Sequence, residues 1–218
     1  MSRPLAVLRP EPGNAATAAA IEALGRRAIR LPLFDIVPLA WDGPPPGEYD
    51  ALILTSANAV RHAGPALSTY AALPVHAVGA ATAAAARAAG LTVVATGATD
   101  GRALLDAARA GGVTRALLLT ARDRAVAAHP ALAAIRAVYA SETIGGVDPA
   151  ALAGSVALVH SPRAALRLAE LVRDRAAVAA AAISGAAGAA LGTGWRAIAV
   201  ADAPTDAALI AAAAILAD

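Results

Sequence analysis

One sequence pattern occurs twice along the chain, and this repeat limits the folds that the chain can adopt. An apolar run ending in serine and continued by alanines occurs at residues 51–60 and again at 157–165. Aligning Ser56 with Ser161 gives an offset of 105 residues (161 minus 56), and later apolar runs align at the same offset without a gap. Self-similarity at a fixed spacing indicates repeated structural units. We therefore predict two similar lobes, with a ligand-binding cleft between them.

Short apolar runs alternate with helical patterns, which is typical of α/β units with parallel sheets. Strands are predicted at Leu5–Leu8, Ala51–Thr55, Val75–Val78, Thr92–Ala95, Ala116–Thr120, Val156–His160, Ala181–Ser184 and Ala197–Val200. Helices predicted at Ala15–Leu24 and Ala81–Ala89 are each followed by a glycine suited to a helix C-terminus. Predicted N-caps are Ser56, Asp100, Ser161 and Thr205.

The order of the strands predicts that the first lobe is discontinuous in sequence. Leu5–Leu8 corresponds to Ala116–Thr120, which comes last in the middle lobe, so the N-terminus must join the later part of the chain. The predicted domains are 1–32 plus 147–218 for the first lobe and 44–135 for the second. The two connecting segments, 33–43 and 136–146, carry β-type residues and are expected to pair as a two-stranded antiparallel hinge.

Composition excludes several kinds of chemistry. The chain has no cysteine, which excludes thiol nucleophiles, disulfides and thiolate metal sites. It has no lysine either, because all 18 basic residues are arginine, and this excludes Schiff-base chemistry and a P-loop lysine. With a net charge of +2 and no basic stripe, nucleic-acid binding is not expected. The four histidines lack metal-ligand spacing, although His160 is placed to line the cleft.

The longest uncharged apolar run, at 207–217, is too short to span a bilayer, and the N-terminus has no signal-peptide pattern. We therefore expect a soluble, cytoplasmic monomer without a membrane partner.

Several short motifs, taken in order, resemble the uroporphyrinogen-III synthase family. They are Arg9-Pro-Glu-Pro12, Leu54-Thr-Ser-Ala-Asn-Ala-Val60, Val78-Gly-Ala-Ala-Thr82, Val138-Tyr139, Ser161-Pro-Arg163 and Ala203-Pro-Thr205. The resemblance implies two α/β lobes joined by a two-stranded ladder, the first lobe being discontinuous. It also implies an enzyme that closes linear hydroxymethylbilane into uroporphyrinogen III, inverting the last pyrrole ring and releasing water, without a cofactor or a metal.

Such a substrate carries eight carboxylates, which this chain must bind without lysine. Helix N-termini offer unpaired backbone N–H groups and the positive end of the helix dipole, and arginine adds bidentate contacts. The predicted substrate-binding residues are Arg9, Thr55, Ser56, Asn58, Gly79, Thr82, Ser161, Pro162, Arg163, Ser184 and Thr205. The resemblance assigns the catalytic role to Tyr139, whose phenol would protonate the departing hydroxyl.

Each of these residues also has a plainer interpretation. Ser56 and Ser161 would serve as N-caps alone, and Gly79 would only permit a tight turn. Arg163 would be a solvated helix residue, and Tyr139 would pack in the hinge. At the level of the whole protein, the alternatives are a non-catalytic two-lobed binding protein for a small molecule and a structural repeat protein.

Overall fold

The computed structural model describes residues 2–97, 100–124 and 126–218. The chain divides into two compact units. The discontinuous unit comprises Met1–Asp35 and Thr143–Asp218, and the continuous unit comprises Ile36–Glu142. Each unit contains a sheet and its own buried apolar clusters.

The strands and helices follow one another in an alternating order. The strands are β1 (Leu5–Val7), β2 (Ala28–Arg30), β3 (Phe34–Pro38), β4 (Ala51–Leu54), β5 (Val75–Val78), β6 (Val93–Gly97), β7 (Ala116–Ala121), β8 (Leu132–Thr143), β9 (Val156–Val159), β10 (Ala179–Ala182) and β11 (Ile198–Val200). The α-helices are α1 (Gly13–Ala23), α2 (Ala57–His62), α3 (Gly79–Ala88), α4 (Gly101–Ala110), α5 (Pro162–Leu171), α6 (Gly185–Leu191) and α7 (Asp206–Ala217). Short 3-10 helices lie at Pro46–Glu48, Pro65–Tyr70, Pro149–Leu152 and Arg175–Ala177.

The sheets of the two units have the same strand order. Within the described ranges, the order is β11-β10-β9-β1-β2 in one sheet and β6-β5-β4-β7-β8-β3 in the other. At the 105-residue offset, β4 therefore corresponds to β9, β5 to β10 and β6 to β11. The position that β1 has in one sheet is taken by β7 in the other. The register agrees as well, because Leu52 lies opposite Val75 just as Ala157 lies opposite Ala180. The repeat in the sequence is thus a repeat of strand pairing.

The central strands of both sheets are buried on both faces. All residues of β4, β9 and β10 are buried, with helices packed against the sheets. This explains why these strands are continuous apolar runs in the sequence and do not alternate with polar residues. In β10 all four residues are alanine, so the helices that cover this strand meet only methyl groups.

The predicted α/β class with parallel sheets is confirmed, and the predicted strands are present within two residues of their expected bounds. The strand expected at Ala181–Ser184 begins and ends two residues earlier, because Ser184 caps α6. Both glycines after the predicted helices have the expected left-handed backbone, with φ of +71° at Gly25 and +80° at Gly90. The sequence analysis missed β2, a three-residue strand that ends in an exposed arginine.

The two connecting segments lie in the larger sheet, where β3 is the neighbour of β8. β8 begins at Leu132, four residues before the predicted crossing segment, and pairs in parallel with β7 as far as Tyr139. β3 lies on its other side. There, Leu39 N–H donates to the carbonyl of Val138 and Ile144 N–H donates to that of Leu33, an order that makes this pairing antiparallel. The antiparallel pairing was expected, but the third partner, β7, was not.

None of the helices in the described part of the chain combines the length and the hydropathy needed to cross a membrane.

Candidate functional site

Most of the predicted site residues lie where a strand leads into the next helix. In a parallel sheet the carboxyl ends of neighbouring strands share one edge, so these connections gather there. In the discontinuous unit the connections after β1, β9, β10 and β11, together with the first turn of α5, hold Arg9, Ser161, Pro162, Arg163, Ser184 and Thr205. In the continuous unit those after β4 and β5, together with the first turns of the helices, hold Thr55, Ser56, Asn58, Gly79 and Thr82. The structure therefore gathers each set at the carboxyl edge of its own sheet.

Four of the predicted hydroxyls are helix N-caps. Each hydroxyl oxygen accepts a hydrogen bond from a backbone N–H two or three residues later. The O–N distances are 3.1 Å from Ser56 to Asn58, 3.1 Å from Ser161 to Ala164, 3.3 Å from Ser184 to Ala187 and 3.2 Å from Thr205 to Ala208. Capping uses a lone pair of the hydroxyl oxygen and leaves its proton uncommitted. The capping that the sequence predicts for Ser56, Ser161 and Thr205 is therefore confirmed, and it is compatible with donation of the same hydroxyl to an anion.

Other turn residues differ in accessibility. Gly79 begins α3 with φ of +76°, a left-handed conformation in which a side chain would be strained. Pro162, at the first position of α5, is exposed and lacks an N–H that would in any case have no helical partner. Thr82 is only 5% exposed, which makes it the least accessible of the predicted binding residues.

Tyr139 lies at the same edge of the continuous unit as the turns after β4 and β5. β8 pairs in parallel with β7, and Tyr139 lies opposite Ala121, the last residue of β7. Its ring centroid is 6.2 Å from that of His62 on α2, with the ring planes tilted by 36°. The side chain is 9% exposed. Nearby at this edge, the hydroxyls of Thr55 and Thr120 are 3.4 Å apart.

In the discontinuous unit, one donor from α1 and two from the connections after β1 and β9 converge on the carboxylate of Asp206. Oδ1 of Asp206 lies 2.7 Å from Nε2 of His160 and 3.3 Å from Nη1 of Arg9, while Oδ2 accepts from the Thr17 hydroxyl at 2.7 Å. We call these four residues the Asp206 cluster. The sequence analysis named Arg9 and His160 but missed Asp206 and Thr17. Asp206 is 197 residues from Arg9 and 189 from Thr17, so the sequence carries no sign of these contacts. The only local signal near Asp206 was the predicted N-cap at Thr205.

Several contacts fix the turn that carries Arg9 and the position of its side chain. Asn14 is fully buried, and its Nδ2 donates to the carbonyls of Val7 and Arg9 at 2.8 Å and 2.9 Å. The Arg9 guanidinium lies directly over Gly13, where a Cβ would come within 2.5 Å of its Nε. Nη1 is committed to Asp206, whereas Nε and Nη2 have no hydrogen-bond partner in the described part of the chain. Arg9 is therefore fixed in place with donors to spare.

Burial decides the charges in the Asp206 cluster. It lowers the pKa of His160 below its ordinary value and outweighs the Asp206 contact, which acts in the opposite direction. Burial also tends to raise the pKa of Asp206, but the hydrogen bonds from Thr17 and His160, with the nearby Arg9 charge, bring it below its ordinary value. At neutral pH His160 is therefore uncharged and Asp206 is ionised, and we assign the His160 proton to Nε2 from this hydrogen bond. Arg9 and Asp206 then offset each other.

Arg163 is exposed in the first turn of α5, and its Cζ lies 4.5 Å from the ring centroid of Phe34. It is thus placed by an aromatic contact and is not merely a solvated helix residue.

Across the described ranges, no group of three or more His, Asp or Glu side chains is arranged to hold a metal ion.

Together, these features define a class of protein. It has two α/β units of matching strand order, each with hydroxyl-capped helix N-termini at the carboxyl edge of a parallel sheet, and exposed or half-exposed arginines at that edge in one unit. Hydroxyls, backbone N–H groups and arginines are the donors expected of a site for an organic polyanion.

The comparisons with known proteins identify the family. The family model described as uroporphyrinogen-III synthase HemD matches residues 15–211. The chain therefore belongs to the uroporphyrinogen-III synthase family, whose members are enzymes of haem biosynthesis.

Solved structures share the fold. The uroporphyrinogen-III synthetase of Helicobacter pylori matches with a TM-score of 0.68 and 17% identity, covering 98% of this chain and 99% of that one. A mutant uroporphyrinogen-III synthase of the extremely thermophilic bacterium Thermus thermophilus matches with a TM-score of 0.52 and 18% identity, covering 95% of this chain and 96% of that one. No curated protein matches the sequence significantly.

Proposed function

We propose that this chain is a uroporphyrinogen-III synthase, which closes linear hydroxymethylbilane into uroporphyrinogen III with inversion of the last pyrrole ring and loss of water. The family match over residues 15–211 carries this proposal. The donors at the carboxyl edges of the two sheets support it, because they suit a substrate that carries carboxylates around its whole length.

The carboxylates bind at the strand-to-helix connections of each unit. The capping hydroxyls of Ser56, Ser161, Ser184 and Thr205 donate their free protons, and backbone N–H groups at the same helix ends add further donors. Arg9 and Arg163 supply charge-assisted hydrogen bonds, which are roughly twice as strong as neutral ones. Thr55, Asn58, Gly79, Thr82 and Pro162 shape the remaining contacts.

The reaction begins when the C–O bond of the hydroxymethyl group breaks and water leaves, which gives an azafulvene cation on the first ring. The substituted carbon of the last ring attacks this cation and forms a spiro intermediate. That intermediate fragments at the bond between the spiro carbon and the neighbouring methylene bridge. The bridge carbon then bonds to the unsubstituted carbon of the last ring, which turns this ring over, and the proton lost from that carbon balances the proton given to the departing hydroxyl. The free bilane closes spontaneously without inversion, so the protein acts chiefly by holding the conformation that leads to the spiro route and by stabilising positive charge.

Tyr139 is the general acid in this proposal, donating its phenolic proton to the departing hydroxyl. Its place at the carboxyl edge, opposite Ala121, supports the assignment. No cofactor or metal takes part in the scheme, and every proton and electron pair is supplied by substrate, protein or water.

We also propose that β3 and the C-terminal part of β8 serve as the linker through which the chain passes twice between the units. The unit boundaries, at residues 35/36 and 142/143, fall within these two strands. A monomeric, cytoplasmic enzyme remains our prediction.

The test is an assay in which hydroxymethylbilane is generated in situ and the product isomers are separated. We expect mainly the type III isomer, without added metal or nucleotide. Tight retention of the bilane with only spontaneous type I product would instead favour the non-catalytic binding protein.

A further inference from the structure

The repeat allows the Asp206 cluster to be compared with the same corner of the other unit. At the 105-residue offset, His160 corresponds to Thr55. Asp206 corresponds to Gly101, and each of these two is the first residue of its helix, α7 or α4. The charged cluster beyond the end of β9 thus has a counterpart beyond the end of β4.

Arg9 also has a counterpart, because β7 takes the position in its sheet that β1 has in the other. Leu5 and Ala116 pair with equivalent residues of the neighbouring strands. Arg9, four residues after Leu5, therefore corresponds to Thr120, four residues after Ala116. The hydroxyls of Thr120 and Thr55 lie 3.4 Å apart. The continuous unit thus forms this corner with two threonines and a glycine, so the fold does not require charged residues at these positions.

Two buried polar side chains of α1 hold Arg9 and Asp206. Asn14 and Thr17 are both fully buried, in a helix whose other residues are mostly alanine. Residues three positions apart lie on the same face of a helix. Asn14 donates to the backbone carbonyl of Arg9, and Thr17 donates to Oδ2 of Asp206. Because burial of a polar group costs free energy unless it is hydrogen-bonded, this face of α1 is specific to the cluster.

The contact between Asp206 and Arg9 contributes more to orientation than to stability. The two side chains are 33% and 36% exposed, and ion pairs with such access to water contribute little to the free energy of folding. The carboxylate of Asp206 is itself fixed, because Thr17 and His160 each bind it at 2.7 Å. It therefore presents a fixed acceptor to Nη1 of Arg9, while Nε and Nη2 have no partner within the described ranges.

We propose that Asp206 and Thr17 are positioning residues that hold the guanidinium of Arg9 in the orientation that receives a substrate carboxylate. This inference rests on the proposed function, in which Arg9 binds one of the carboxylates of the bilane. Asp206 acts through its hydrogen bond to Arg9, and Thr17 acts through Asp206. Together they remove much of the rotamer freedom that a long arginine side chain would otherwise lose when the substrate binds.

The direction of the change in KM separates positioning from a simple effect of charge. Asp206 carries a negative charge beside a site for anions, so its removal would strengthen substrate binding if it acted through its charge alone. If Asp206 positions Arg9, its removal weakens binding. In the assay with hydroxymethylbilane generated in situ, Asp206→Ala should raise KM about threefold to tenfold, with kcat within about twofold of the wild type.

A second variant at the same position keeps the size of the side chain. Asp206→Asn retains an acceptor oxygen but loses the charge that strengthens the hydrogen bond from Arg9. KM should rise in the same direction as in Asp206→Ala, by a smaller factor. This variant also covers the case in which Asp206→Ala does not fold.

A double-mutant cycle tests whether the effect passes through Arg9. Arg9→Ala should raise KM further than Asp206→Ala, and adding Asp206→Ala to it should not raise KM again. Thr17→Val keeps the shape of the side chain and removes its hydroxyl, so KM should rise about twofold to threefold, and only when Arg9 is present. Because Thr17 is fully buried, this rise would not come from the loss of a direct contact with substrate.

Ser155→Ala is the matched control for Thr17→Val. Ser155 is also fully buried in the discontinuous unit, but it precedes β9 and lies at the opposite edge of the sheet. Its hydroxyl donates to the carbonyl of Leu152 at 2.7 Å. Loss of this hydrogen bond should lower the midpoint of thermal unfolding and leave KM unchanged.

The outcomes separate the two claims. An inactive wild-type chain would overturn the proposed function and this inference with it. With an active wild type, an unchanged or lower KM in both Asp206 variants would overturn the inference alone, as would an equal rise in KM with and without Arg9. A wild-type KM in Thr17→Val, or an equal rise in Ser155→Ala, would overturn the role of Thr17.

Discussion

The phenol of Tyr139 is the single group on which the proposed chemistry depends most. Tyr139→Phe keeps the buried ring and its contact with His62 and removes only one oxygen. We expect turnover to fall by tens- to hundreds-fold, about 2–3 kcal/mol of barrier, with little change in KM because the carboxylates are held elsewhere. Steady-state kinetics of purified variants would measure this.

Tyr70→Phe is the matched control for Tyr139→Phe. Tyr70 is fully buried in the same unit, and its hydroxyl donates to the carbonyl of Pro44 at 2.7 Å. Losing this hydrogen bond should reduce the free energy of unfolding by about 1 kcal/mol and leave turnover unchanged. Equal turnover in Tyr139→Phe and Tyr70→Phe would show that Tyr139 only packs in the sheet.

The Asp206 cluster predicts a pH dependence of stability. Because burial lowers the pKa of His160 in the folded state, the unfolded chain takes up this proton first as the pH falls below about 6.5. Stability is therefore complete above that pH and decreases on acidification, by at most about 1.4 kcal/mol per pH unit. Asp206, whose pKa is also lowered, adds a further loss only below about 3.9, as the pH falls through its folded-state value.

The variant His160→Gln isolates this effect, because glutamine can still donate to Asp206 but does not titrate. Chemical denaturation at pH 7 and pH 5 should show a smaller loss of stability in the variant than in the wild type. The comparison cancels the contribution of His76, whose pKa is also lowered by burial. An identical loss in both proteins would mean that His160 takes up its proton equally easily in the folded and unfolded states.

At the scale of the elements, capping and binding can be separated by comparing two helices. Ser161 caps α5 and Asp100 caps α4, where its carboxylate accepts from two backbone N–H groups. Either residue changed to alanine should lower the free energy of unfolding by about 1 kcal/mol. Only Ser161→Ala should also raise KM, since only that hydroxyl belongs to the proposed site. Thermal denaturation and kinetics on the same preparations would decide this, and unchanged KM in Ser161→Ala would leave Ser161 as a cap alone.

The elements also show how far the sequence alone determines the fold. The buried strands were predictable because each is a continuous apolar run, and the caps because Ser, Thr and Asp stand just before helical patterns. β2 was not predictable, because three residues with one exposed arginine give no periodic signal. The pairing of β8 with β7 was missed because the residues of a strand do not show which strands will lie beside it in the sheet.

The candidate site also contains some residues that the sequence predicted and others that it did not. Local signals predicted the turn residues, because each lies beside a strand end and a helix start in the sequence. Arg9 and Thr17 both meet Asp206, and they do so only through the tertiary packing of the discontinuous unit. Contacts between residues that are almost 200 positions apart leave no pattern in a single sequence. The contact between Phe34 and Arg163 escaped prediction for the same reason.

For the molecule as a whole, the repeated strand pairing provides two similar sets of helix N-termini on one chain. A flexible polyanion with carboxylates along its length can be held at many points by such sets, each contributing little. We therefore expect most single substitutions among the binding residues to raise KM without abolishing activity. In the proposed mechanism, the specificity of the reaction follows from the conformation in which the bilane is held.

The product isomer ratio tests this account most directly. Hydroxymethylbilane generated in situ would be incubated with increasing amounts of the purified chain, with and without EDTA, and the uroporphyrinogen isomers separated. Because spontaneous closure yields type I and the proposed route inverts the last ring, the type III fraction should rise with protein concentration until it dominates, and EDTA should change nothing. A product that remains type I at every protein concentration, formed at the spontaneous rate, would contradict the central claim.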